Sequence, residues 1–278
     1  MALTINTNAY SLTAQRNLAS TQNSLATSMQ RLSSGLRINT AQDDAAGLAI
    51  AERLNAQVKG MNVAIRNAND GISMAQVADG TASQISDNLQ RMRELAVQAA
   101  NGSYAAADRS NLQSEFTALS NEVSRIAQSA KFNNIGLADS SAATTSFQIG
   151  AGTASYNQIS LTLANLQASA AGMTVDTATI DITTASTALA AIAGIDVAID
   201  KVTTTRAGYG AFLNQASAAI SNLQNSVMNQ SAARGRITDT DFATETANLS
   251  RSQILQQAGT AMLAQANAMP NNVMSLLK

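Results

Sequence analysis

Protein chemistry needs nucleophiles, proton carriers or metal ligands, and this chain is short of them: it has no His, no Cys and no Trp. No imidazole or thiolate ligand, no Ser-His or Cys-His nucleophile pair and no disulfide can be built from it. Carboxylates and guanidinium groups remain, and two groupings of them stand out. Asp43 and Asp44 pair two carboxylates just before an apolar run. There they could exchange protons, or they could complete the start of a helix, whose free N–H groups favour negative charge. Gln90, Arg91, Arg93 and Glu94 fall on the polar face of a helical stretch. Neither grouping comes with a nucleophile, a metal ligand or a pocket. No catalytic, cofactor-binding or metal residue is therefore assigned, and the chain reads as a non-enzyme. A formal net charge of -1 gives no strong pull toward nucleic acid or an acidic membrane.

The elements that carry these groups are helical, because apolar residues recur at spacings of three and four. The first stripe is Ile5, Leu12, Leu18, Leu25, Met29, Leu32 and Leu36, with Leu18, Leu25 and Leu32 in heptad register. The second runs from Leu54 to Ala99 through Met61, Ile72, Ile85 and Met92. It would be roughly 68 Å long at 1.5 Å per residue, against roughly 40 Å for a compact domain of this size, which predicts a rod. After a turn at Asn101-Gly102 a third stripe, Leu112 to Ala130, folds back, and Asn133, Asn134 and Gly136 break it. Between about 141 and 185 polar and apolar residues alternate, as in Phe147 to Ile149 and Ile159 to Leu163. That predicts short strands, with a turn at Gly150 to Gly152 and further strand at Val175 to Ile182. Helical period resumes from Ile192 to Val227. The last segment places Leu255, Met262, Met269 and Leu276 in heptad register, interleaved with Gly259, Ala266 and Val273, and Pro270 should kink or loosen it.

The layout is mirror-symmetric: seam, long helix, strand-rich centre, long helix, seam. The fold expected is mainly α, a long antiparallel helical rod with a small β-hairpin region, its N- and C-terminal helices paired at one end. The terminal seams carry about seven large apolar side chains each, worth ~1.5 to 3 kcal/mol apiece when buried. Ordering the backbone costs ~1 to 2 kcal/mol per residue. Such seams suit burial against identical copies in an open, head-to-tail polymer. Periodicity alone leaves an ordinary intramolecular coiled-coil stalk equally open.

Longer motifs narrow the choice. Ala2 to Asn6, Leu32 to Asn39, Asp43 to Ile50, Asn88 to Gln98 and Asn271 to Leu277 match bacterial flagellins in order, and the chain resembles that family over residues 1 to about 140 and 190 to 278. The centre looks reduced. The resemblance implies an inner filament domain from 1–42 and 235–278, an outer rod domain from 43–140 and 190–234, and a short β-rich variable region at 141–189. It implies a structural subunit that polymerises with itself into the filament for motility. The polymerisation seam would be Leu18, Leu25, Leu32, Leu255, Met262, Met269 and Leu276.

The polar N-terminus, with no secretory leader pattern, reads as cytosolic until the resemblance overrides it. Flagellins leave by the flagellar type III apparatus, so an extracellular filament location is implied, with an export chaperone, filament cap and hook-filament junction proteins as partners. Some members carry a zinc peptidase that needs His-Glu-x-x-His, which a chain without His lacks. The Asn88 to Gln98 stretch resembles the part that host Toll-like receptor 5 recognises. Arg91, Leu95 and Glu115 fall at the matching receptor-contact positions, and Gln90 in the same stretch is a further contact candidate. Arg91 and Leu95, four apart, are expected to share a helix face, with Glu115 beside them on the returning helix. Two rival readings are a hook-filament junction protein and an adhesin or receptor ligand acting through residues 141–185.

Overall fold

The computed structural model describes residues 7–141, 143–176 and 179–275. Five long helices carry most of the chain: α1 (Ala9–Ser34), α2 (Ala45–Ala100), α3 (Ala106–Ser129), α4 (Ala185–Thr238) and α5 (Phe242–Ser275). Between α3 and α4 lie β1 (Lys131–Phe132) with β2 (Ile135–Gly136), and β3 (Thr144–Gln148) with β4 (Gln158–Thr162). Packing divides the chain into two units, Met1–Val58 with Met228–Lys278, and Lys59–Val227. The division falls inside α2 and α4, so residues 43–58 and 228–234 belong to the first unit.

In the first unit α1 and α5 run antiparallel. The Asn8 side-chain amide donates to the Ala266 carbonyl at 2.7 Å near one end, and Arg31 pairs with Glu245 at 4.0 Å near the other. Asn8 starts α1 by accepting from the Ser11 N–H at 3.2 Å. Gly35 ends it at φ +71, a left-handed conformation that side chains with a Cβ resist, and donates to the Arg31 carbonyl. The chain then pairs with the α4–α5 junction. Leu36 and Asp239 form an antiparallel bridge, Arg37 N–H donates to the Thr238 carbonyl at 2.6 Å, and Thr240 N–H donates to Gly35 at 3.0 Å.

Three aspartates finish this junction. Asp43 accepts from the Asn39 and Thr40 backbone N–H groups and the Thr40 hydroxyl. Asp44 caps α2 by accepting from Gly47 N–H at 2.9 Å. Asp241 caps α5 through Ala243 N–H and the Thr244 hydroxyl. The carboxylate pair singled out in the sequence is thus spent on local backbone. Gly235 does not end α4, which continues to Thr238, and α5 passes position 270 as helix to Ser275.

The second unit has a conventional core. From α2 it takes Met74, Ala75, Ala78, Ala82, Ile85, Leu89, Met92 and Leu95, from α3 Phe116, Val123 and Ala127, and from α4 Ile195, Ala198, Val202, Tyr209 and Phe212. The stripe read in the sequence and the observed core coincide closely along α2 beyond Met61. Arg109 of α3 joins the α2–α3 turn by donating to the Ala99 and Asn101 carbonyls at 2.8 and 2.9 Å.

Asn133 and Asn134, read as breakers, instead turn the β1–β2 hairpin. Both have positive φ, 45 and 65, as a tight two-residue turn between antiparallel strands demands. β3 pairs with β4 from Thr144↔Thr162 to Gln148↔Gln158, with Gly150 and Gly152 in the connection as expected. The further strand expected at Val175 to Ile182 is absent among the described residues. Side chains from α3 satisfy that backbone instead: Ser120 donates to the Val175 carbonyl and Gln113 accepts from Ile182 N–H. Val175, Ile180 and Ile182 are then free to enter the core as an irregular loop.

Two outcomes follow from this packing. In the monomer, backbone amides of α1 and α5 should exchange with solvent orders of magnitude faster than those of α2 between Met74 and Ala99, because few large apolar groups hold the terminal pair; hydrogen-exchange mass spectrometry measures this. The Thr244 hydroxyl, then the Ala243 and Thr244 N–H groups, hold the Asp241 carboxyl below the usual aspartate range. A depressed folded value means the cap is complete above the ordinary value of about 3.9 and fades as pH falls through the folded one. Amides at the start of α5 should lose protection there, and Asp241→Ala should expose them at neutral pH.

Candidate functional site

The α1–α5 contact is built from small and polar side chains interspersed with leucines. On α1 the protected positions include Ser11, Ala14, Leu18, Thr21, Leu25, Ser28 and Leu32, with Arg31 beside the last; on α5 they include Glu245, Leu249, Ser252, Gln256, Gly259, Leu263 and Ala266, with Asn248 beside Leu249. Both lines step alternately by three and four, the seam of an antiparallel coiled coil. Leu18 nests over Gly259: a Cβ on that glycine would lie 3.2 Å from Leu18 Cδ1. Ser11 donates to the Asn267 side chain at 2.7 Å.

The expected seam residues therefore separate. Leu18, Leu25 and Leu32 are half-buried against α5. Leu255, Met262 and Met269 are exposed along a groove bordered by α1, and the covered line on α5 is the interleaved one of Gly259 and Ala266. Leu276 lies outside the described residues, as does the Ala2 to Asn6 motif. Interaxial distance follows the side chains at the contact, so small residues draw the helices close and leave the large ones on the flank. There Leu255, Met262 and Met269, with Tyr10 and Leu18, line an apolar groove. Leu12, Met29, Phe242 and Ile254 add further exposed apolar surface to the unit.

A second face lies on α2 and α3. Arg91 donates to Glu115 at 2.8 and 3.0 Å and to Glu94 at 2.9 Å, and the Glu115 and Glu94 carboxylates keep its guanidinium firmly charged. Arg93 pairs with Asp196 at 2.7 Å. Arg91 and Glu115 thus meet across the hairpin as the spacing predicts, and Gln90 is exposed beside them. Leu95 departs from expectation: it is fully buried in the core and presents no surface. A spacing of four still leaves two residues about 40° apart around the helix axis, and here the boundary between core and solvent runs between them. The Arg93–Asp196 pair, to α4, was not legible in the sequence, since no local spacing links residues so far apart.

Among the described residues no group of acidic side chains assembles that could hold a metal ion, and no helix is long and apolar enough to cross a membrane.

Comparison with known proteins bears on both faces. The model of the bacterial flagellin N-terminal helical region matches residues 5–143, and that of the C-terminal helical region matches 192–277. Flagellin D of Vibrio cholerae is 37% identical, covering all of both chains, in an alignment of 376 positions against 278 residues here. A flagellin of Halalkalibacterium halodurans is 41% identical over 274 residues, 99% of each chain. The crystal structure of Bacillus cereus flagellin superposes with a TM-score of 0.50 at 28% identity, covering 61% of this chain and 94% of that one. The longer alignment with the Vibrio protein, and the unmatched stretch between the two helical regions, mark a reduced centre. With both helical regions matched in order and full-length relatives on either side of 40% identity, the chain belongs to the bacterial flagellins, the structural subunits of the flagellar filament.

Proposed function

We propose that this flagellin polymerises through the flank of the α1–α5 pair, with Leu255, Met262 and Met269 of one copy buried against another copy. The observation that carries this reading is an inversion of the usual order. Small and polar residues alternate with leucines in the intramolecular seam, while further large apolar residues lie in solvent along one flank. Contiguous apolar surface of that kind marks an interaction face. Polymer formation supplies the missing cover, and an interface between non-identical patches extends without closing. Leu18, Leu25 and Leu32 then hold the two helices together so that the flank is presented as one surface.

On this reading the terminal pair is kept from premature assembly by an export chaperone, passes through the flagellar type III apparatus, and adds beneath the filament cap beyond the hook-filament junction. The Arg91–Glu115 face is the part offered to Toll-like receptor 5 by free subunits. Arg91 supplies a planar, permanently charged fork suited to the centre of an interface. Gln90 and Glu115 stand beside it, and Leu95 supports the face from within the core.

Met262→Asp or Leu255→Asp should abolish filaments, since an unpaired carboxylate buried in the interface costs several kcal/mol. Sedimentation and electron microscopy after salting-out should show monomers with an unchanged melting transition; normal filaments from either variant would remove this flank from the interface. Arg91→Ala should leave the melting transition nearly unmoved and weaken receptor activation roughly tenfold or more in a reporter-cell assay. Leu95→Ala should instead destabilise the fold by ~2 to 5 kcal/mol in urea titration. Equal receptor potency for wild-type and Arg91→Ala monomers would leave Arg91 as a stability-neutral surface ion pair.

A further inference from the structure

The methionines of this chain are sorted by unit. Of ten in the sequence, eight have described side chains. Met61, Met74, Met92 and Met173, all in the second unit, are 6%, 2%, 0% and 0% exposed. Met29, Met228, Met262 and Met269, all in the first, are 51%, 62%, 64% and 38% exposed. Two of the exposed four, Met262 and Met269, line the apolar groove with Leu255. The chain has no Cys and no Trp, so thioether sulfur is its most readily oxidised group.

We infer that Met262 and Met269 are a peroxide-sensitive modification site that blocks assembly of free subunits when oxidised; this rests on the assembly flank proposed above. The sulfur lone pair attacks one oxygen of a hydroperoxide, an S–O bond forms as the O–O bond breaks, and the distal oxygen leaves as water after proton transfer. With hydrogen peroxide as oxidant, the sulfur loses two electrons and the peroxide gains them, giving methionine sulfoxide and water. The product replaces a flexible apolar group with a polar, chiral one. The groove lining combines apolar Leu18, Leu255, Ala258 and Ala266 with polar Tyr10, Thr13, Asn17, Thr21 and Gln265, and a sulfoxide oxygen covered by a second copy must give up water at a surface that the unoxidised thioether meets through apolar contact. A flank of Leu would be equally apolar and inert. In the assembled filament the same two sulfurs are covered, so the site reports whether a subunit is free.

The experiment treats purified monomer and filament with hydrogen peroxide, then maps sulfoxides by peptide mass spectrometry and measures assembly by sedimentation. In monomer, Met262 and Met269 should oxidise well before Met74, Met92 and Met173, and in filament both should be protected. Oxidised monomer should need about tenfold or more higher concentration to assemble. Treatment with both methionine sulfoxide reductases, one for each sulfur epimer, should restore assembly of the same sample. Met262→Leu with Met269→Leu, compared with its own untreated control, should lose no assembly on oxidation. Normal assembly by wild-type monomer carrying both sulfoxides would overturn the inference. If Met262→Asp still prevents filaments in that case, the assembly flank stands without the switch. If Met262→Asp assembles as well, the flank itself falls.

Discussion

The close approach of α1 and α5 over Gly259 is the contact on which the behaviour of the terminal unit depends. A helix pair packed through Ser, Gly and Ala has little apolar area to bury, and what it has is confined to Leu18, Leu25, Leu32, Leu249 and Leu263. Each keeps some solvent exposure, so each contributes less than the ~1.5 to 3 kcal/mol of a fully buried side chain. The helices are therefore aligned more than they are stabilised. Alignment comes from directional contacts at the two ends, Asn8 to Ala266 and Arg31 to Glu245. Glu245 is buried and Arg31 half-buried, so the charged pair adds little net stability and is better suited to fixing register and antiparallel sense. The consequence is that several large apolar residues of α5, Leu255, Met262 and Met269 among them, are left exposed.

The second unit follows the opposite rule. Its core takes Phe116, Tyr209 and Phe212 together with the Leu, Ile and Met residues of α2, and several side chains there are wholly shielded. The ion pairs Arg91–Glu115, Arg93–Asp196 and Arg206–Asp79 lie outside that core and bridge neighbouring helices at its surface. Exposed pairs of this kind contribute little individually, so the unit is held by burial and its surface chemistry is free for recognition. One unit thus folds by covering its apolar residues internally, and the other leaves several of them exposed. The same division accounts for the sorting of the methionines.

Junctions between elements rest on short polar side chains. Asp43, Asp44 and Asp241 each accept backbone N–H groups within a few residues, which turns the chain sharply without a long loop. The carboxylate pair that first suggested acid-base chemistry is explained by these bonds, and the chemistry of the site is instead that of surface and shape.

The sequence by itself determined the helices, the turn at Asn101-Gly102, the β3–β4 hairpin and the core stripe of α2, because each depends on local periodicity or on the conformational freedom of particular residues. It also placed Arg91 and Glu115 in one face, since helix spacing and a tight turn leave little choice. It could not settle how α5 is rotated against α1. The heptad offers two parallel lines, Leu255-Met262-Met269 and Ser252-Gly259-Ala266, and a period is satisfied by either. Apolar size favoured the first; the tertiary pairing uses the second, because close packing rewards small side chains at the contact. For the same reason Leu95 was misplaced, since the edge of a buried stripe depends on what packs against it. The irregular loop at Val175 to Ile182 was illegible too, as its backbone is satisfied by Ser120 and Gln113 from a distant helix, partners that only the folded chain brings within reach.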